Sequence, residues 1–315
     1  MKETKHITEG ATMLGIYVLL LLITLFIPFL GMITLLAMVV PFVVFTARNG
    51  WKSGVWLIVI AGLLSVLLGS PLALVLSIPA STVGVVMGHL IGNKANRYAI
   101  LGAATGVYLI NYILAYIVAI VLFNIDFMEV LEGMIRESMQ ASEAIATSLG
   151  QENPQKGLEK MEEYLGYSSY LLPTMFVLTS FVHAFFSQLV TTFIVKRLKI
   201  QVSPFPPFRE LVLPKSLLWY YLIVLVLSLM QPEEGSTLFM AVLNLSFILM
   251  LLMTVQGLSF IFFFCHMKKI SKVVPITILI LSFLIPPLVY IIRMIGIVDI
   301  GFQLRERIQG NNKGK

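Results

Sequence analysis

The sequence predicts an all-α integral membrane protein, a polytopic bundle of about nine hydrophobic helices, and three observations predict it. Hydrophobic residues make up 58% of the 315 and charged residues only 12%, with a mean hydropathy of +0.93; soluble domains of this length are not built that way. Most of the chain lies in apolar runs near or above the roughly 18 residues that cross a hydrocarbon core. Ala80, Gly84, Gly88 and Gly92 recur every four residues on one helical face, and small residues are how helices approach each other in a bilayer.

The predicted segments run 11–30, 32–47, 54–69, 71–92, 98–123, 170–195, 215–231, 236–265 and 273–298. The second and third have about 16 residues, near 24 Å, which is short for a span and places them inside a bundle. Between them lies the turn Arg48-Asn49-Gly50-Trp51-Lys52-Ser53. A break at Ser70-Pro71 and the turn Asn93 to Arg97 bound the glycine-striped helix, and Gly102 and Gly106 repeat its spacing on the next. Pro286-Pro287 near the middle of the last segment fits either a kinked span or a hairpin.

This pattern predicts four regions. Residues 1–200 form a six-helix bundle interrupted by an acidic insertion at 124–167, which carries nine acids against three bases. Residues 201–214, with Ser203-Pro204-Phe205-Pro206-Pro207-Phe208, form a stiff proline-rich linker. Residues 215–298 add three membrane helices, and 299–315 a basic amphipathic tail with Asp299 as its N-cap. Within the insertion, helical spacing predicts two amphipathic helices, one from Phe127 and one after Pro154.

Charge orients the chain. With the amino terminus in the cytoplasm, the inner turns hold fourteen Lys and Arg, and the outer segments up to residue 272 hold only Arg136, Lys156 and Lys160. The net charge of +6 therefore sits where membrane topology requires it, with no nucleic acid implied. Lys2 and Lys5 precede an apolar run with no small-x-small cleavage site, so the first helix is expected to be retained.

Catalytic and cofactor patterns are missing from the sequence. Cys265 stands alone in an apolar run, and four scattered His residues have no metal-ligand spacing. No phosphate loop, H-E-x-x-H or G-x-S-x-G occurs. The expectation is a protein without metal or cofactor that is not an enzyme. Polar groups inside apolar runs are the candidates for function, because they are costly at depth and face the bundle interior. Tyr108, Asn111 and Tyr112 share a face of the fifth helix at i, i+3 and i+4; His183 and Gln188 lie on the sixth. A small ligand bound among these five, under the 124–167 insertion, is the sharper reading, and mutual hydrogen bonding is the plainer one. Asn244 and Gln256 on the eighth helix are further polar groups at depth, Arg293 on the ninth is expected to snorkel or to pair with a backbone carbonyl, and His89 is expected at an interface.

The first six segments resemble the S component of energy-coupling-factor vitamin transporters. The resemblance rests on Ala11-x-x-x-Gly15, the short second helix, the turn Arg48 to Gly54, and Gly88-His89-Leu90-Ile91-Gly92-Asn93-Lys94. Over its length the chain is similar to the YybS-like family of bacterial polytopic membrane proteins, through Ile7-Thr8-Glu9-Gly10-Ala11, Gln256-Gly257-Leu258-Ser259 and Gly296-Ile297-Val298-Asp299 with Arg305. These resemblances imply residence in the bacterial cytoplasmic membrane. The first also implies a small-molecule ligand and docking of Ala11 and Gly15 onto a transmembrane coupling protein with ATPases. The sequence thus supports a substrate-binding subunit of an uptake system, or alternatively a non-transporting scaffold or assembly partner in the cell envelope.

Overall fold

The computed structural model describes residues 2–125, 127–148 and 169–313, and all regular structure among them is helical. In chain order the helices are α1 (Lys2–Phe26), α2 (Pro28–Ala37), α3 (Val39–Asn49), α4 (Trp51–Gly69), α5 (Leu74–Gly92), α6 (Arg97–Phe123) and α7 (Phe127–Ser148). They continue with α8 (Leu172–Arg197), α9 (Ser216–Leu229), α10 (Thr237–Met267), α11 (Val273–Leu284), α12 (Pro286–Phe302) and α13 (Leu304–Lys313).

Among the described residues seven helical stretches are long and apolar enough to cross a membrane: His6–Phe26, Phe29–Asn49, Trp51–Gly69, Pro71–Gly92, Arg97–Phe123, Ser169–Arg197 and Thr237–Met267. The second and third are longer than the sequence suggested, at 21 and 19 residues. The expected polar turn between them shrinks to Gly50, whose φ of +84° only glycine adopts readily, so Trp51, Lys52 and Ser53 join α4. The last third departs from nine full spans. Helix α9 has 14 residues and α11 only 12, about 21 and 18 Å long. The run expected at 273–298 breaks at Ile285, extended at φ −121° before Pro286, the conformation a following proline favours.

The chain divides into two compact units, Met1–Leu165 with Met175–Pro204, and Gly166–Thr174 with Phe205–Lys315. In the first, α3 and α5 pair most extensively, and α1, α4 and α6 pack around them. The small-residue stripe makes that closeness possible. A Cβ on Gly84 would lie 2.5 Å from the Phe42 Cβ and 2.8 Å from the Val39 carbonyl; on Gly88, 2.7 Å from the Val43 carbonyl. Ala80 is buried, and Gly92 faces the Ala47 carbonyl. Phe42, Val43, Val83 and Met87 fill the core around this contact. Beside it Tyr17 donates within a buried hydroxyl triad, 2.6 Å from Ser65 Oγ and 2.7 Å from Ser77 Oγ.

In the second unit α10 crosses α12, with α9 and α11 alongside. Gly257 and Gly296 meet at the crossing, where a Cβ on either would run into a backbone carbonyl, of Ile292 or Met253. Asn244 fixes the start of α8 by accepting from the Thr174 N–H at 3.0 Å and donating to the Tyr170 carbonyl at 2.6 Å. Helix α7 is the first of the two amphipathic helices expected in the insertion; the second, after Pro154, lies outside the described residues.

Candidate functional site

The buried face of α8 is built from small and polar residues at helical spacing: Ser180, Ala184, Ser187, Gln188, Thr191 and Val195. Facing it, α6 contributes Tyr108 and Tyr112, one turn apart. The two helices are joined by these side chains. The Tyr108 ring stacks on the His183 imidazole, centroids 4.3 Å apart and planes 15° from parallel. Its hydroxyl lies 3.1 Å from Ser187 Oγ, and the Tyr112 hydroxyl hydrogen-bonds His183 Nδ1. One end of the seam is tied by Arg97, whose Nη2 donates to Thr192 Oγ1 and Nε to the Ser203 carbonyl, both at 2.5 Å. Gln188 Nε2 donates to the Arg97 carbonyl at 3.2 Å.

Four of the five expected ligand residues therefore line one seam, and Asn111 does not. Its amide donates to Thr82 Oγ1 of α5 at 3.1 Å and to the Val107 carbonyl at 2.7 Å, so it belongs to the α5–α6 contact. Three buried polar atoms in the seam lack a hydrogen-bond partner among the described residues: His183 Nε2, Gln188 Oε1 and Thr191 Oγ1. An unmade hydrogen bond at such a position costs about 1–3 kcal/mol, and groups of this kind in a native interior call for a specific explanation. The arrangement offers a donor-capable imidazole nitrogen, an amide acceptor and a hydroxyl that does either.

The second unit holds a polar cluster of another kind. Arg305 Nε donates to Asp299 Oδ2 at 3.0 Å, Nη1 to the Arg209 carbonyl at 2.8 Å, and Nη2 to Ser259 Oγ at 3.1 Å. Gln256 donates to Asp299 Oδ2 at 2.6 Å and accepts from the Leu213 N–H at 2.9 Å. The Ser259 hydroxyl donates to the Phe208 or Leu211 carbonyl, 2.8 and 2.7 Å away. Asp299 is thus not an N-cap: α12 runs through it, and the chain turns at Gln303, φ +51°. The cluster pins the 208–213 segment and the start of α13 to α10, a clasp in which every side-chain nitrogen of Arg305 and both amide atoms of Gln256 have a partner. Arg293 lies over the Tyr290 ring, 5.2 Å from its centroid, and the exposed His89 bonds Asn93.

On α1 the two residues expected to dock a partner stand open. Ala11 and Gly15 are exposed, and no atom lies within 4 Å of where a Gly15 Cβ would sit. Along the same helix a depression of about 990 Å³ is lined by Thr4, Thr8, Glu9, Thr12 and Arg48, with Arg48 Nη1 paired to Glu9 Oε1 at 2.7 Å.

Comparison with known proteins gives the family. No solved structure matches the chain. The YybS protein of Bacillus subtilis (strain 168) is 32% identical over 310 residues, covering 98% of this chain and 100% of that one. Residues 15–300 match the family described as predicted membrane protein (DUF2232), a range that takes in the Tyr–His seam and the glycine crossing. The chain belongs to that family of membrane proteins.

Proposed function

We propose that this multi-pass membrane protein is the small-molecule-binding subunit of an uptake system, comparable to an energy-coupling-factor S component. The α6–α8 seam is its binding site. The observation that carries the reading is a set of three buried atoms with no partner among the described residues, His183 Nε2, Gln188 Oε1 and Thr191 Oγ1. A ligand presenting at least one donor and one acceptor satisfies them, and the Tyr108–His183 stack supplies an aromatic wall. The role is binding, with no catalytic step. The full-length chain, extracted and denatured, is expected to release a small molecule identifiable by mass spectrometry, and the His183→Phe and Gln188→Met variants to retain at least tenfold less. Extracts without such a species, or variants that retain as much, sink this reading.

The open Ala11 and Gly15 face supports a second role, docking of another membrane protein, which a scaffold or a coupled transporter subunit equally requires. Gly15→Leu should then abolish co-purification of a membrane partner while leaving the melting temperature unchanged; a partner retained in full removes the docking role. The fourteen-to-three distribution of basic residues supports an amino terminus in the cytoplasm of a bacterial cell and the insertion outside. Ser142→Cys in a Cys265→Ala background is expected to react with an impermeant thiol reagent in intact cells. Reaction only after lysis reverses the orientation.

A further inference from the structure

The second unit carries a feature that neither the seam nor the clasp uses: an open groove of about 660 Å³ between α10, α11 and α12. Phe260, Phe264 and Cys265 of α10 and Ile291 and Ile295 of α12 line it, with no polar lining surface. Its volume falls within the roughly 300–1,000 Å³ of ligand sites, yet nothing along its walls could fix a polar molecule. One end of the groove meets a basic turn. Ile270 lines the groove and belongs to the turn Lys268-Lys269-Ile270-Ser271-Lys272. Lys268 Nζ stands 6.0 Å from the centroid of Phe264, itself a lining residue. Lys269 has a φ of +55°, so the turn reverses sharply there. Among the described residues none of these three lysines has a carboxylate partner.

An apolar slot that ends at a turn carrying three lysines is complementary to one kind of molecule: an acyl chain attached to an anion. We propose that this groove binds a single anionic phospholipid, its acyl chain between α10 and α12 and its phosphodiester at Lys268, Lys269 and Lys272. Juxtamembrane lysines attract anionic headgroups, and burial of chain methylenes adds the apolar part of the affinity. Lysines at the end of α10 also suit the negative end of the helix dipole, so the proposal must be separated from that plainer explanation.

Native mass spectrometry of the full-length chain in detergent, titrated with phosphatidylglycerol or phosphatidylcholine, makes the separation. The wild type is expected to hold one phosphatidylglycerol about tenfold more tightly than phosphatidylcholine. Lys268→Gln, Lys269→Gln and Lys272→Gln together should reduce that preference to near unity. The same replacement at Lys196, Arg197 and Lys199 should leave it intact. Ile295→Trp, which fills the groove, should remove the tight site for both lipids. Because that variant could misfold, Cys265 of the unaltered chain gives a second readout: phosphatidylglycerol should slow its alkylation by N-ethylmaleimide several-fold more than phosphatidylcholine does. Equal retention of the two lipids overturns the proposal. So does a preference that survives loss of the three lysines, one lost equally at the control turn, or alkylation indifferent to headgroup.

Discussion

Two buried polar clusters, one in each unit, differ in how completely their hydrogen bonds are made. Around Asp299 and Arg305 the carboxylate, guanidinium and amide are each answered by a described group, and backbone from the 208–213 segment completes the set. Around His183 and Gln188 the bonds stop short, and an imidazole nitrogen, an amide oxygen and a hydroxyl are buried without partners among the described residues. Both clusters sit in apolar helices, where a polar group is costly wherever it lies. A closed network repays that cost within the fold and defines one geometry for the segments it joins. An open one does not repay it from the fold alone, and the remainder is what a bound molecule can supply. The contrast makes the clasp structural and leaves the seam as the site proposed to bind a ligand.

The largest expected effect breaks the closed cluster. Arg305→Met leaves the Asp299 carboxylate, buried at 4% exposure, without its cation, and removing one partner of a buried ion pair costs about 3–5 kcal/mol. Asp299→Leu combined with Arg305→Met removes both charges and is expected to recover most of that loss, since apolar replacement of a whole buried pair is often close to neutral. Thermal unfolding followed by a thiol-reactive fluorophore reads this locally, because Cys265 is the chain's one cysteine and is buried in α10. A single variant that melts like the parent would mean that the clasp carries no structural weight.

How much of this was legible in the sequence depends on the kind of signal. The Ala80, Gly84, Gly88 and Gly92 stripe was visible because a fixed spacing maps onto one helix face; α3 as its partner was not, because spacing does not name the surface that covers it. Tyr108, Tyr112, His183 and Gln188 were visible as polar interruptions of apolar runs. Asn111 shared their spacing yet turned to Thr82, since three and four residues along a helix still differ enough in direction to choose between neighbours. Ser187 and Thr191 were invisible because hydroxyls in membrane helices commonly bond their own backbone and interrupt hydropathy little. Arg97 read as a turn charge and proved buried, with its guanidinium on Thr192 and Ser203. Asp299 read as a helix cap because it precedes a periodic basic stretch. The better signal was that an acid and a base, six residues apart beside apolar sequence, must pair if both are buried.

The comparison sharpens most when one substitution is made in both clusters. Gln256→Met withdraws the acceptor of the Leu213 N–H and a donor to Asp299. The Leu213 N–H left unanswered costs about 1–3 kcal/mol, and Asp299, still held by Arg305, loses one hydrogen bond worth about 1 kcal/mol, so a loss of about 2–4 kcal/mol is expected. Gln188→Met forfeits one hydrogen bond, to an Arg97 carbonyl at 3.2 Å, worth about 1 kcal/mol net. It also removes an amide oxygen that is buried with no partner, and that relief is of the same size or larger. Methionine fills a similar volume with an adaptable, apolar chain. Stability should therefore change by less than about 1 kcal/mol, in either direction, when unfolding of the purified chain is followed by circular dichroism without ligand. A loss at Gln188 as large as that at Gln256 would show that its oxygen has a partner in the fold. The seam would then be as closed as the clasp, and the argument for a ligand there would lapse.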